Sequence, residues 1–149
     1  MVEELTTMYK AKQPSIFETE EALLRISRKL NWTQNFDKKF FLDLGKFLND
    51  DIEEFLTASP NLISESAQIR FGENNILFVN KSQVYSSKKI INCVWMAIAI
   101  SVAFEMKFAE SFQNSAIFIG KISNCSWSNK YNLPKIISKK LENLEIFLN

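Results

Sequence analysis

The stretch Ile90–Phe104 constrains this chain more than any other, because only Asn92 and Ser101 interrupt its apolar side chains. Such a run must leave water, and it falls short of the ~20 residues that a membrane-spanning helix needs. It is therefore expected at the centre of a soluble core. Its pattern supports two readings. Ile98, Ile100, Val102, Phe104, Met106 and Phe108 alternate with Ala97, Ala99, Ser101, Ala103, Glu105 and Lys107, as in a strand, while Ile100, Phe104, Phe108 and Phe112 recur every fourth residue, as in a helix. The alanines and the length favour a helix over 88–112, apolar in its N-terminal half and amphipathic in its C-terminal half.

A central apolar helix needs amphipathic neighbours, and three segments have the spacing to supply them. Ser15 and Glu18 have the form of a capping box, in which each side chain satisfies the other's free backbone amide, and a helix from Ile16 to Leu30 follows with Leu23, Ile26 and Leu30 on one face. Asn35 to Leu56 carries a stripe of Phe36, Phe40, Leu44, Phe47 and Phe55, widened by Phe41, Leu48 and Ile52. Gly45 costs that helix about 1 kcal/mol relative to alanine, so a break is expected near Asn49 to Asp51. The last helix begins near Leu133, with Pro134 in its first turn, and is expected to bury Ile137, Leu141, Leu144 and Leu148.

Thr57 to Ser66, with Pro60 inside it, reads as loop, after which the character changes. Ile69 and Phe71 lead into Gly72-Glu73-Asn74-Asn75, and Ile76 to Val79 is rich in strand formers, which predicts a β-hairpin near 68–85. Consecutive Ile117, Phe118 and Ile119 predict a buried strand over Ala116 to Ile122 that joins it. The expected architecture is α+β: one helix-rich domain over 1–149, with a small antiparallel sheet packed on amphipathic helices and a central apolar helix. Residues 1–14 are expected to form a flexible N-terminal segment.

The chemistry is defined by what the chain lacks. There is no histidine, the side chain that titrates unaided between pH 5 and 8, so Ser-His-Asp and Cys-His arrangements are impossible. Cys93 and Cys125 stand in separate segments, unlike zinc ligands, and Gly45, Gly72 and Gly120 are too dispersed for a phosphate-cradling loop. Asp50 to Glu54 has neither the spacing nor the turn glycine of a calcium loop. A histidine-free enzyme would have to rest on carboxylates such as Glu20, Glu21, Asp43 and Glu105; Glu105 is the best candidate if it faces the core, but it is expected to emerge at the surface, since charges are rarely buried without partners. No cofactor or metal is expected.

Charge offers the remaining evidence. Eighteen basic and 17 acidic side chains leave a net charge of +1, too little for the whole molecule to attract nucleic acid without specificity. The balance conceals a segregation: Asp43, Asp50, Asp51, Glu53 and Glu54 cluster in one segment, whereas Lys121, Lys130, Lys135, Lys139 and Lys140 accumulate in another without an acid between them. The start Met-Val-Glu-Glu does not resemble a secretory signal, and two isolated cysteines suit a reducing cytoplasm. The function expected from this combination is protein binding, most concretely by an immunity or inhibitor protein that neutralises a toxin domain through the acidic cluster. The alternatives are a nucleic-acid accessory protein, with the five lysines on phosphates and Trp127 or Tyr131 stacked on bases, and the carboxylate enzyme.

Overall fold

A computed structural model describes residues 16–60 and 66–148, among which six α-helices and a four-stranded sheet make an α+β arrangement. The expectations for residues 1–14 and for Ser15 lie outside the described residues. Helix α1 spans Ile16–Leu30 and buries Ala22 and Leu23, with Arg28 and Lys29 in its last turn, where cations suit the helix dipole. Helix α2, Lys38–Phe47, starts where the Asp37 carboxylate accepts a hydrogen bond from the Phe40 amide at 3.0 Å. The chain then breaks at 48–51 and continues as the short helix α3, Ile52–Phe55. Gly45 has a role in that break beyond low helix propensity: a Cβ built there would lie 2.9 Å from Cβ of Ile52, so α3 folds back against α2 only because the side chain is missing.

Strands β1 (Leu56–Thr57), β2 (Gln68–Arg70), β3 (Asn75–Val79) and β4 (Ser82–Ser87) form the sheet in that order. The β2–β3 pairing is antiparallel, as the hairpin pattern predicts; β3–β4 is a second antiparallel pair, and β1 pairs with β2 in parallel, which makes the sheet mixed. Asn80 and Lys81, at φ 50° and 69°, make the two-residue connection to β4, which has the twist that hairpin strands require. Buried Asn75 fixes the other end, since its amide donates to the carbonyls of Ser87 and Lys88 while its oxygen accepts from the Gly72 amide.

The apolar stretch is helix α4, Ile90–Ala103, buried at Ile91 and continuously from Cys93 to Ser101, and it packs on β2, β3 and β4. The expected amphipathic continuation to residue 112 does not exist. Glu105 takes a left-handed φ of 53°, the Met106 amide donates to the Ser101 carbonyl at 2.7 Å, and the helix closes there. Residues 104–112 run as irregular chain, with Phe104 exposed and Phe112 buried in a parallel stack on Phe55, ring centroids 4.0 Å apart.

Residues 116–122 also require correction: they belong to helix α5, Gln113–Ile122, and not to a strand. The helix is buried without interruption from Ser115 to Gly120, so no polar face marks the 3.6-residue period, and a helix buried on every side reads like a buried strand. Gly120 is required in it, because a Cβ there would come within 2.6 Å of the Trp127 ring, which the 3₁₀ turn Ser126–Lys130 lays against α5. Helix α6, Lys135–Asn143, buries Ile137 and Leu141 as expected, but Leu144 is 37% exposed and Ile146 is buried in its place.

That exchange follows from a device shared by five helix ends. Amides of Trp32, Asp50, Met106, Cys125 and Ile146 each reach back five residues to a helix carbonyl, at 2.7 to 2.9 Å. The residue before each of them is left-handed: Asn31, Asn49, Glu105, Asn124 and Glu145. This is the usual place for glycine, yet none of the three glycines has a positive φ. Asparagine, whose short polar side chain tolerates that conformation, serves at three ends, and glutamate at the other two accepts about 1 kcal/mol or more of backbone strain.

Helices and sheet share one hydrophobic core. Both cysteines are free and buried in it, and burial pushes the Cys93 thiol up to about 11 and the Cys125 thiol up to about 12, far from the thiolate needed for reactivity. No helix among the described residues is long and apolar enough to cross a membrane.

Candidate functional site

The acidic cluster divides on folding into an internal part and a surface part. Asp50 follows the left-handed Asn49 that ends α2, and the turn directs its carboxylate across the molecule to the start of α5. There one oxygen accepts from the Asn114 amide at 3.3 Å and the other from the Ser115 amide at 2.6 Å. The Asn114 side-chain amide returns a bond to the Leu48 carbonyl at 2.9 Å. Free N–H groups at a helix start need acceptors, and the positive end of the dipole favours an anion, so Asp50 caps α5 from a distant segment. Burial pushes its carboxyl above the ordinary range, while the side chain and amide of Ser115 and the amide of Asn114 pull the other way.

Asp43 is half-buried on α2, whereas Asp51, Glu53 and Glu54 are exposed. Glu53 and Glu54 border an open cleft of about 690 Å³, whose other walls include Thr57, Ser59 and Gln68 from the β1 and β2 region and Lys107 and Glu110 from the irregular segment after α4. Glu110 is a member that sequence reasoning missed. No local motif could have announced it, because it meets the cluster only through the tertiary fold.

The basic cluster divides in the same manner. Lys140 donates from Nζ to the carbonyl of Phe47, the last residue of α2, at 2.8 Å, and its ammonium lies 5.0 Å from the centre of the Phe47 ring. Lys121 donates to the Ser128 carbonyl at 3.1 Å and ties the 3₁₀ turn to α5. Lys130, Lys135 and Lys139 remain exposed, Lys130 with its ammonium 5.8 Å from the Tyr131 ring centre.

Of the carboxylates that could serve an enzyme, Glu105 is exposed, as expected of a charge without a buried partner, and Glu20, Glu21 and Asp43 lie on α1 and α2. Among the described residues, no three Cys, Asp or Glu side chains gather closely enough to hold a metal ion. What the acidic cleft offers chemically is a set of carboxylate acceptors in water, suited to meeting cationic groups on a partner. Comparison with family models, with curated proteins and with solved structures finds no match to this chain.

Proposed function

We propose that this protein acts by binding another protein through the acidic cleft, as a small inhibitor or immunity-type partner of a basic toxin domain. The observation that carries the reading is the convergence of Glu53 and Glu54 with Glu110, more than fifty positions later in the chain, around one open cleft, with Asp51 exposed in the same segment. Lys107 is the cation among the residues that line it. A negative rim of this kind speeds encounter with a positive partner and disfavours acidic ones. The two free, buried thiols suit a reducing compartment, and we place the protein in the cytoplasm on that ground.

The test is a pull-down from native cells at low salt, read by mass spectrometry and repeated with Glu53→Lys/Glu54→Lys. A stoichiometric basic partner that the double variant fails to retain is the expected result. Recovery of no such partner, or equal recovery by both proteins, overturns the reading. The nucleic-acid alternative retains three exposed lysines of its five, and a gel shift at two salt concentrations distinguishes it, because phosphate contacts make affinity fall steeply with salt.

A further inference from the structure

A second cleft, of about 360 Å³, opens between the end of α4 and the 3₁₀ turn, and its construction is quite different. Its wall is aromatic. Phe108, Trp127 and Tyr131 pack with ring centroids 5.5 to 6.0 Å apart, the first two buried and Tyr131 half-exposed. The bare Cα of Gly120 lets Trp127 pack close against α5, and Tyr131 packs edge-on against that ring. Half-exposed Val102 and Met106 extend the apolar surface.

Three exposed charges complete this cleft: Lys107, Lys130 and Glu105. Glu105 stands at the left-handed end of α4, and the turn there sets its carboxylate on the rim of this cleft. Solvated lysines alone recruit nothing specific. Lysines beside a pre-formed aromatic wall combine the two contacts that hold a ring and its attached anion. The volume lies at the small end of ligand pockets, which run from about 300 to 1,000 Å³, and so suits one ring system and its substituent.

We propose that this cleft binds a small ligand in which a planar aromatic ring is joined to an anionic group, the chemistry shared by nucleoside monophosphates and aryl phosphates. The ring lies on the Tyr131 side of the wall, the anion meets Lys107 and Lys130, and Glu105 accepts hydrogen bonds from amino or hydroxyl groups on the ligand. This cleft shares Lys107 and Phe108 with the acidic cleft, but ligand binding here does not depend on a protein partner.

Titration of the full chain with adenosine monophosphate, phenyl phosphate, ribose 5-phosphate and adenosine, followed by amide chemical shifts and calorimetry, tests it. The two aromatic anions should shift the amides of residues 105–108 and 127–131, and the compounds lacking either ring or anion should bind at least about tenfold more weakly. Adenosine monophosphate binding more tightly than phenyl phosphate would identify a nucleotide, and the reverse order a simpler aryl anion. Tyr131→Ala and Lys130→Glu should each weaken binding about tenfold, while Tyr131→Phe and Lys139→Glu stay within about twofold of the parent. Lys130 is exposed, so its variant keeps the test intact if Tyr131→Ala fails to fold. Absence of shifts at the cleft with either aromatic anion, equal binding of ribose 5-phosphate, or undiminished affinity in Lys130→Glu overturns the proposal.

Discussion

The acidic and basic clusters are alike in sequence and again in structure, for each sends part of its charge inward to a backbone terminus and leaves the rest in water. Asp50 closes the start of α5 and Lys140 the end of α2, whereas Glu53, Glu54, Lys135 and Lys139 are exposed. The difference teaches that a charge run in a sequence mixes two demands. Helix ends call for a charge of one sign at one place, and a recognition surface calls for whatever survives after those ends are served.

The comparison breaks most visibly at Asp50. Asp50→Ala removes the acceptor of two amides at a partly buried helix start and should cost about 2 kcal/mol in a urea titration, combining the loss of a cap with the loss of hydrogen bonds to a charged group. Retention of full stability would show that water replaces the carboxylate and that the cap is incidental. Lys140→Ala comes next, at about 1 kcal/mol, while Lys140→Met, which keeps the stem over Phe47, should recover part of the loss. Glu53→Lys/Glu54→Lys should move stability by no more than about 0.5 kcal/mol per site, since both side chains are exposed, and yet abolish retention of the partner.

The smallest effect is in pH. Because burial raises the Asp50 carboxyl in the folded protein, the native state binds that proton more tightly than the unfolded chain does. The stability this contributes is present below the unfolded value, near 3.8, and is lost as pH rises through the folded one. Asp50→Asn cannot titrate, so the stability of the parent minus that of the variant should decline upward from about pH 4. A difference that grows with pH over that range would mean that the interactions with Ser115 and Asn114 outweigh burial.

Much of the fold was legible because its signals were local. The spacing of Leu23, Ile26 and Leu30 marked α1, Gly45 and Asn49 marked the break after α2, and Gly72 to Asn75 marked the hairpin turn. Helix α5 was not legible, since uniform burial erased its period, and the two features that define it, Asp50 and the Gly120–Trp127 contact, lie in other segments or join residues across a turn. The extension of α4 to 112 failed for a related reason: a glutamate in a left-handed turn looks, in sequence, like any helical glutamate. The candidate site was half-legible. The acidic run is plain in the sequence, but nothing there separates Asp50, which serves the backbone, from Glu53 and Glu54, and Glu110 reaches the cleft only through the folded chain.

The reach of Asp50 to Ser115, across 65 positions, bears on how the polypeptide acquires its shape as it is made. Synthesis delivers Asp50 well before Ser115, and a helix of ten residues that would be marginal alone draws on an acceptor from that earlier segment. An excised fragment beginning after α4 would lack that partner, and its α5 should fray in isolation.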